Sequence, residues 1–451
     1  MTQGMNKLSH KNCLIVGLGQ TGLSCARFLA DRALSVAVMD TREQPPALTT
    51  LQQDYPQVLI KTGGLDLDWL LKADLIILSP GVDPRLPEIR AAREAGIEMV
   101  GDIELFARYV DAPVVAITGS NGKSTVTTLL ALMAQLAGKD TRTGGNLGTP
   151  ALDLLGDKAP DFYILELSSF QLETVCTLNA FAAVILNVSP DHLDRYDSVE
   201  DYQRAKQKIF IGDGVMVINR DDPIVSSMAD DSRIQIGFSL HKTQGVDFGL
   251  LRKDGQTWLA EGNEPLLDIQ QMKIVGTHNL ANALAALALG SAMALPMQAM
   301  LNALQEFKGL PHRCRLVRQL DGVRWFNDSK ATNIGACIAA IEGLADSGPI
   351  VLIAGGVGKD QNFAELTETL KQAVRAVVLM GVDADKIAAF VPQGVNTLMA
   401  SDMKDAVNQA RQVAQAGDSV LLSPACASFD MFSGYAERGD KFEQAVRGLA
   451  A

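Results

Sequence analysis

Short apolar runs recur along the chain, and each is followed by a polar or glycine-rich turn and then by a segment with helical spacing. The runs are rich in valine, isoleucine and leucine, which is typical of strands buried on both faces of a parallel sheet. Repetition of strand, turn and helix predicts βαβ units. We therefore predict an α/β protein, with strands starting at 12 and 114 and strands at 35–39, 58–61, 75–78, 162–166, 184–188, 323–326, 350–354, 376–380 and 419–422.

The pattern divides into three units. The first closes near Gly101, the second begins with the strand after Pro113, and the third follows Arg313. Residues 237–268 show short strands and turns, which predict a small β insertion before an apolar helix at 280–289. We predict a Rossmann-like domain at 1–101, a central P-loop ATPase-like domain at 102–309 and a carboxyl-terminal Rossmann-like domain with a mainly parallel sheet at 310–451.

The second unit opens with the sequence VVAITGSNGKSTVTTLL, which predicts a strand, a tight loop and a helix. The glycines let backbone N–H groups turn inward, the helix start is electropositive, and the lysine and hydroxyl side chains can reach phosphate and Mg²⁺. The loop is shorter than the common P-loop, because Ile117 stands where that pattern has glycine. The candidate nucleotide-binding residues here are Gly119, Ser120, Asn121, Gly122, Lys123, Ser124 and Thr125.

A second glycine-rich turn, GLGQTG at 17–22, follows the first strand, and Asp40 ends the next one. This spacing is typical of a nucleotide site in which the acid binds a ribose. The turn at 79–81 also follows a strand, where open α/β sheets bind ligands. The nucleotide itself is left open by the pattern.

Several polar residues after the other strands are candidate site residues, and each has more than one interpretation. Glu166 ends a buried strand and is expected to bind Mg²⁺, although it could instead cap the serines that follow. His192 could be a ligand or a structural residue. Lys206 lies among positive charges on a helix predicted at 199–210, which by pattern alone indicates a solvated face. Polar turns at 327–332, 355–360 and 423–430 each follow a strand and should cluster at one sheet edge.

Composition narrows the function classes. The 451 residues carry a formal net charge of −12 with no basic stripe, so we expect no nucleic-acid partner. The six cysteines lack metal-type spacing and indicate reduced core residues in a cytoplasmic protein. No secretory signal is visible, and the apolar tract at 280–295 is interrupted by polar residues, so we expect no membrane span.

Three functions remain open from these patterns. A dehydrogenase that also binds ATP would use the first glycine-rich turn, but no paired hydride-acceptor site is visible. A P-loop switch or motor would be expected to carry repeats or coiled coils, and none is found. ATP-driven ligation or kinase chemistry would use the third unit for a second substrate.

The motifs TGSNGKST, LELSSFQLE, NVSPDHLDRY, GTHNLANALAA, GLPHRCR, NDSKATN and LSPACASFD occur in the order found in the Mur ligase family, which the chain resembles over its whole length. The related folylpolyglutamate synthetases lack the first unit seen here. The resemblance implies ATP-dependent amide bond formation through an acyl phosphate. Within the family, the pattern is most similar to members that add D-glutamate to UDP-N-acetylmuramoyl-L-alanine, and an alternative is another amino acid.

The resemblance also implies residue roles around ATP and two Mg²⁺ ions. Ser124 and Glu166 would bind the first ion and His192 the second, with Lys206 carried as a carbamate. Lys123 and the loop amides would hold the β- and γ-phosphates, and the catalytic residues would be Lys123, Glu166, His192, Lys206 and Lys330. The adenosine contacts would be Asn279 and Asn282, and the residues closing on the nucleotide would be Arg313, Asp328 and Lys330.

The substrate contacts implied by the resemblance fall in the first and third units. The UDP part would meet Thr21, Asp40, Thr41, Arg42 and Gly81, and the sugar-peptide would meet Asn146. The D-glutamate contacts would be Thr332, Lys359 and Ser428, with Tyr435 nearby. Tyr435 and Val357 depart from the family pattern. We expect a monomer.

Overall fold

The computed structural model describes residues 11–32, 34–191, 195–241, 247–274, 276–345, 348–359 and 361–450. These residues form three β-sheets, each with helices packed against it. The predicted α/β class is confirmed, because almost every strand pairing within the described residues is parallel and helices connect the strands.

The first sheet has the order β3-β2-β1-β4-β5, and its pairings are parallel. The chain therefore crosses over the sheet after β3, and the carboxyl ends of β1 and β4 lie at the switch point where open sheets bind ligands. The strands are β1 (Asn12–Val16), β2 (Ser35–Met39), β3 (Leu59–Lys61), β4 (Leu75–Leu78) and β5 (Glu98–Val100), and the helices are α1 (Gln20–Ala30), α2 (Leu48–Asp54), α3 (Leu67–Lys72), α4 (Pro87–Glu94) and α5 (Asp102–Ala107).

The second sheet has the order β14-β13-β12-β11-β10-β9-β6-β8-β7. Its pairings are parallel from β7 to β12 and antiparallel among β12, β13 and β14, so the predicted β insertion extends one edge of the sheet. The strands are β6 (Val114–Thr118), β7 (Thr141–Gly145), β8 (Phe162–Glu166), β9 (Ala182–Ile185), β10 (Val215–Asn219), β11 (Gln235–Phe238), β12 (Phe248–Lys253), β13 (Gln256–Glu261) and β14 (Glu264–Asp268).

The helices around this sheet are α6 (Lys123–Leu136), α7 (Ser169–Leu172), α8 (Val199–Gln207), α9 (Pro223–Ser227), α10 (Thr277–Ala292) and α11 (Met297–Glu306), with 3₁₀ turns at Ala151–Leu154, Lys208–Phe210 and Ile269–Gln271. Helix α10 is buried on most of its surface because it packs against α6, α12 and the sheet. Its apolar composition therefore reflects a core position. Among the described residues, no helix is long and apolar enough to cross a membrane.

The third sheet has the order β15-β16-β20-β17-β18-β19, in which β15 and β16 are antiparallel and the other pairings are parallel. Its strands are β15 (Arg315–Leu320), β16 (Val323–Asn327), β17 (Ile350–Ala354), β18 (Val374–Leu379), β19 (Asn396–Met399) and β20 (Ser419–Leu422). The helices are α12 (Ile334–Ala345), α13 (Thr367–Ala373), α14 (Ala384–Ala388), α15 (Met403–Val413) and α16 (Tyr435–Arg447), with a 3₁₀ turn at Phe363–Leu366.

Some predicted boundaries are wrong for local reasons. The strand predicted at 184–188 is shifted, since β9 pairs through Ala182–Ile185 and the chain leaves the sheet at Leu186. The sequence TGGNLG at 143–148 predicts a glycine-rich loop, but its first three residues belong to β7, because the chain pairs with β8 as far as Gly145. The helix predicted at 199–210 ends at Gln207.

Candidate active site

The phosphate-type loop between β6 and α6 is shaped by two glycines with positive φ, Gly119 at 155° and Gly122 at 86°. A Cβ on Gly122 would lie 2.3 Å from Asn282 Oδ1, so this position accepts only glycine. Asn187 holds the loop by accepting the Ser120 N–H at its carbonyl and the Asn121 N–H at its side chain. The loop is therefore fixed by neighbouring strands and by α10.

Lys123 lies inside this loop. Its Nζ donates hydrogen bonds to the carbonyls of Gly119, at 2.7 Å, and Ser120, at 3.0 Å. Burial lowers the pKa of this amine, and Glu166 opposes that shift. The geometry places a cation at the start of α6, where an anionic group is already favoured by the helix.

Glu166 ends β8 beside the loop and has one unsatisfied oxygen. Its Oε1 accepts a hydrogen bond from Asn146 Nδ2 at 2.6 Å, whereas its buried Oε2 has no hydrogen-bond partner among the described residues. The capping interpretation of Glu166 is wrong, because Ser168 forms a capping box with Gln171. A buried carboxylate oxygen without a donor indicates room for a cation.

The Ser124 hydroxyl accepts a hydrogen bond from Arg313 Nη2 at 2.8 Å and lines the same cavity as Glu166. Carboxylate and hydroxyl oxygens fit Mg²⁺, which commonly takes one or two protein oxygens together with substrate phosphate and water. Among the residues that the structure describes, no group of three or more His, Cys, Asp or Glu side chains could hold a metal ion by itself. His192 lies outside the described residues.

Lys206 is buried with 1% of its surface exposed, so the solvated-face interpretation from sequence is wrong. Its Nζ donates to the Gly119 carbonyl and lies 4.5 Å from the Tyr202 ring centroid. Burial, reinforced by the charge of Lys123, lowers the pKa of the Lys206 amine well below its usual value. The amine is therefore neutral more often than that of an exposed lysine.

A cavity of about 290 Å³ brings these groups together with residues of the third domain, and we call it the reaction cavity. Its lining includes Asn146 of the second domain and Lys330, Thr332 and Lys359 of the third. The Lys359 Nζ lies 3.8 Å from Asp191 Oδ1. Many of the predicted residues line it, namely Ser120, Asn121, Gly122, Lys123, Ser124, Asn146, Glu166, Lys206, Arg313, Lys330, Thr332 and Lys359.

A second cavity of about 350 Å³, the nucleotide cavity, lies between α10, α12 and the phosphate-type loop. Its lining combines polar side chains with apolar ones, among them three alanines of α12. The predicted residues that line it are Asn121, Gly122, Thr125, Asn279, Asn282, Arg313, Asp328 and Lys330. Because Arg313 and Lys330 line both cavities, they mark the boundary between the two.

Two ionisable groups at this boundary have shifted pKa values. Burial raises the pKa of Asp328 to about 7, although its carboxylate accepts hydrogen bonds from Ser423 Oγ and the Cys314 N–H. Burial, with the nearby charges of Arg313 and Lys123, lowers the pKa of Lys330 to about 8. Such shifts cluster at functional sites.

Two residues predicted near D-glutamate, Ser428 and Tyr435, do not line the reaction cavity. Ser428 is buried, and its carbonyl accepts the N–H groups of Met431 and Phe432. Tyr435 begins α16, and its ring centroid lies 3.8 Å from Lys330 Nζ. Tyr435 therefore supports the lysine by a cation–π contact.

The third cavity, about 750 Å³, lies at the switch point of the first sheet, and we call it the first-domain cavity. Its lining includes six of the candidate substrate-contact residues, namely Thr21, Asp40, Thr41, Arg42, Gly81 and Asn146. Asp40 is already bonded, because it accepts from the Leu18 N–H at 2.6 Å and from the Arg42 side chain at 2.6 and 2.9 Å. In this conformation the acid anchors Arg42 and is not an open ribose ligand.

The predicted clustering of the three turns in the third domain is confirmed. Ser423 Oγ donates to Asp328, the Gly355 N–H donates to the Pro424 carbonyl, and Val357 pairs with Ala427. All three turns therefore lie at one edge of the sheet, and residues from two of them reach the reaction cavity.

Residues that the sequence analysis did not single out also line these cavities. Asn333, the last residue of NDSKATN, donates from Nδ2 to Asp191 Oδ2 at 3.1 Å. Asn187 holds the phosphate-type loop, as described above. Each lies within or beside a motif, but the sequence does not indicate that Asn333 contacts Asp191 of another domain or that Asn187 holds the phosphate-type loop of its own domain.

The chain matches three family models: Mur ligase MurD-like, N-terminal domain, at residues 11–101, Mur ligase middle domain at 117–290, and Mur ligase, glutamate ligase domain, at 312–426. It is 54% identical over 436 residues to a UDP-N-acetylmuramoylalanine--D-glutamate ligase of Nitrosococcus oceani, covering 97% of this chain and 96% of that protein. A protein of the same name from Pseudomonas aeruginosa is 52% identical over 439 residues, covering 97% and 98%.

Solved structures share the fold. MurF ligase of Thermotoga maritima in complex with ADP has a TM-score of 0.62 at 18% identity, covering 99% of this chain and 97% of that one. UDP-N-acetylmuramate-alanine ligase MurC of the same organism has a TM-score of 0.59 at 19% identity, covering 97% and 99%. At such identities the likeness shows the fold alone.

Proposed function

The chain belongs to the Mur ligase family, and we propose that it joins D-glutamate to UDP-N-acetylmuramoyl-L-alanine in the cytoplasm, with ATP as the energy source, during peptidoglycan precursor synthesis. One observation carries the proposal: the three cavities lie in series and share walls. Asn146 lines both the first-domain and the reaction cavity, and Arg313 and Lys330 line both the reaction and the nucleotide cavity. A UDP-linked carboxylate and a nucleotide can therefore approach one another from opposite sides.

The reaction begins with the carboxylate of the alanyl residue. Its oxygen attacks the γ-phosphorus of ATP, the bond to the β-phosphate oxygen breaks, and ADP leaves with that electron pair. The neutral amine of D-glutamate attacks the carbonyl carbon of the resulting acyl phosphate. The bond from that carbon to the phosphate oxygen then breaks, inorganic phosphate leaves with the electron pair, and the nitrogen gives up one proton to the departing phosphate or to water. The order of events requires the acyl carbon to lie in the reaction cavity between the two other cavities.

The phosphate groups would be held by fixed donors. Lys123 lies in the loop at the start of α6, and its amine can turn from the loop carbonyls to phosphate oxygens. Arg313 and Lys330 approach from the third domain, so they add positive charge where the migrating phosphoryl group develops its charge. Asn279 and Asn282, which bond to each other at 3.3 Å, would contact the adenosine.

We assign the first Mg²⁺ to Ser124 and Glu166, because Glu166 Oε2 is a buried acceptor without a donor. When bound, the ion neutralises phosphate charge. His192 and a carbamate of Lys206 would hold a second ion. Support for the carbamate comes from the burial of Lys206 and the lowered pKa of its amine, since only the neutral amine combines with CO₂.

D-glutamate would bind on the third-domain side of the reaction cavity. Lys359 supplies a cation for a carboxylate, and Thr332 supplies a hydroxyl group. Ser428 and Tyr435 would shape this region from behind. The first-domain cavity would hold the UDP part through Thr21, Thr41, Arg42 and Gly81, while Asp40 fixes Arg42.

The proposal is tested by phosphate release with ATP, UDP-N-acetylmuramoyl-L-alanine and, in turn, D-glutamate, L-glutamate, L-lysine and meso-diaminopimelate. D-glutamate alone should give rapid turnover. Lys123→Ala should reduce turnover by at least about 100-fold, equivalent to roughly 3 kcal/mol in the barrier, while leaving binding of the UDP substrate nearly unchanged. The exposed Lys139 serves as the control, since Lys139→Ala should retain full activity. Preference for another amino acid would overturn the assignment of substrate.

A further inference from the structure

Asn333 precedes α12 and makes hydrogen bonds in two directions. Its Oδ1 accepts the Ala336 N–H at 2.8 Å, which caps the helix. Its Nδ2 donates to Asp191 Oδ2 at 3.1 Å and lies 3.4 Å from Asn121 Oδ1. The side chain is buried, with 4% exposed, so both directions are fixed by the surroundings.

The two partners of Nδ2 belong to different loops of the second sheet. Asn121 lies in the phosphate-type loop after β6, and Asp191 lies in the segment after β9. A single amide group of the third domain therefore contacts both loops that border the nucleotide and reaction cavities. Asp191 also forms an ion pair with Lys359, whose Nζ lies 3.8 Å from Asp191 Oδ1. Two side chains of the third domain therefore contact the same carboxylate.

Helix α12 approaches the second domain closely along its length. A Cβ on Gly335 would lie 3.2 Å from Ser189 Oγ, and a Cβ on Gly343 would lie 3.1 Å from the Gly276 Cα. Between these glycines, Ala336, Ala339 and Ala340 form one wall of the nucleotide cavity. The cavity is therefore complete only when the amino-terminal end of α12 is docked where Asn333 holds it.

We propose that Asn333 is a positioning residue that docks the third domain onto the phosphate-type loop, and so couples nucleotide binding to the placement of the amino-acid substrate. This rests on the proposed function for the identity of that substrate. The neighbouring Thr332 and the Asp191-bound Lys359 line the reaction cavity, so a shift of the third domain as a unit would displace both of them from the acyl carbon. The contact with Asn121 makes the docking sensitive to the conformation of the loop that surrounds the phosphates.

The test separates docking from helix capping. Serine and aspartate cap helices about as well as asparagine, so Asn333→Ser and Asn333→Asp keep the acceptor for Ala336 and lose the donor to Asp191. Asn333→Asp also faces the Asp191 carboxylate with a like charge. Asn362 is the matched control, because it caps the turn at Phe363–Leu366 by accepting the Ala364 N–H, but it is exposed and, among the described residues, has no hydrogen bond to the second domain.

We expect Asn333→Ser to raise the KM for D-glutamate and lower kcat, each by about 10-fold, and Asn333→Asp to do so by about 100-fold. The KM for the UDP substrate, which binds in the first-domain cavity, should change less than twofold. Small-angle scattering with ADP should give a larger radius of gyration for Asn333→Asp than for wild type. Asn362→Ser should match wild type in all these measurements.

A swap provides the decisive comparison. Combining Asn333→Asp with Asp191→Asn exchanges donor and acceptor, so the double variant should recover at least tenfold in kcat/KM for D-glutamate over Asn333→Asp. Absence of that recovery, together with scattering curves identical to wild type, would overturn the docking role. Wild-type protein without ligase activity would overturn the proposed function instead, and the scattering comparison would still decide the docking role.

Discussion

The Nζ of Lys206 donates a hydrogen bond to the carbonyl of Gly119 at 2.9 Å, so a lysine of α8 reaches the backbone of the phosphate-type loop. The residues are 87 positions apart in the chain, and the amine is enclosed by the Tyr202 ring and by the loop. An amine in that place gives up its hydration for one carbonyl acceptor. Conversion to a carbamate would replace this poorly solvated cation by anionic oxygens beside a metal site.

Lys206→Ala should lower turnover by at least about 100-fold, because it removes the proposed anionic ligand of the second Mg²⁺. Acetate or formate should restore part of the activity by supplying carboxylate oxygens in the vacated space. The measurement is initial-rate phosphate release with and without added carboxylate.

The control for this substitution comes from the structure. Lys208 is unsuitable, since its Nζ donates to the Glu173 carbonyl and is part-buried. Arg204 lies on the same helix with 71% of its side chain exposed, so Arg204→Ala should change turnover less than twofold. Equal effects of the Lys206 and Arg204 variants, without rescue, would contradict the carbamate.

Arg42→Ala should raise the KM for UDP-N-acetylmuramoyl-L-alanine by 10-fold or more and leave the KM for ATP unchanged. The reason is that Arg42 lines the first-domain cavity and neither of the other two cavities. The substitution also leaves the buried Asp40 carboxylate without its cation, so the free energy of unfolding should fall by about 1–3 kcal/mol. Arg42→Ala combined with Asp40→Asn should recover stability without recovering affinity. A raised KM for ATP alone, or NADH binding tighter than UDP binding, would contradict the assignment of this cavity.

Lys359→Ala should raise the KM for D-glutamate more than that for either other substrate, because Lys359 is the third-domain cation of the reaction cavity that we do not assign to the phosphate groups. We expect a rise of 10-fold or more, equivalent to at least about 1.4 kcal/mol of binding. The exposed Lys371 of α13 is the matched control in the same domain. If Lys359→Ala changes only the KM for ATP, the D-glutamate site has been misplaced.

The pH dependence of kcat/KM for ATP should have a maximum between about pH 7 and 8. The pKa of Asp328, raised by burial to about 7, sets the acidic limb, and the pKa of Lys330, lowered by burial to about 8, sets the basic limb. Asp328→Asn should abolish the acidic limb and keep the basic one.

The raised pKa of Asp328 also makes the free energy of unfolding depend on pH, in a direction that can be stated. A pKa of about 7 in the folded state, above its ordinary value of 3.8, stabilises the protein below about pH 4, and this contribution is lost as the pH rises to 7. The free energy of unfolding of wild type should therefore fall relative to Asp328→Asn over that interval. Parallel stability curves for the two proteins would contradict a buried, shifted Asp328.

The sheets could be predicted from sequence because they depend on local patterns. Runs such as Ile350–Ala354 and Leu75–Leu78 are wholly buried, and their composition alone requires cover on both faces. The phosphate-type loop could also be predicted, because Gly119 and Gly122 occupy conformations that other residues rarely adopt, and its functional groups are adjacent in sequence. Position relative to strand ends then located Glu166, Asp328 and Gly81.

The contacts between domains could not be predicted in this way. Arg313 meets Ser124 across 189 positions and Asn333 meets Asp191 across 142, and no local pattern encodes such pairs. Lys206 looked solvated because its own helix is polar, whereas its burial is imposed by the loop packed above it. The ion pair between Asp40 and Arg42 could not be predicted either, because the glycine-rich pattern specifies an acid but not the residue that binds it.

The arrangement of the cavities in a row has a consequence for inhibitor design. Asn146 separates the first-domain cavity from the reaction cavity by a single shared wall, so one molecule can occupy both. Joining a uridine-like group to a glutamate-like group by a short linker would make the second contact intramolecular, with an effective concentration on the order of millimolar. Such a compound would compete with two substrates at once and would leave the nucleotide cavity free, so its potency should not fall when the ATP concentration rises.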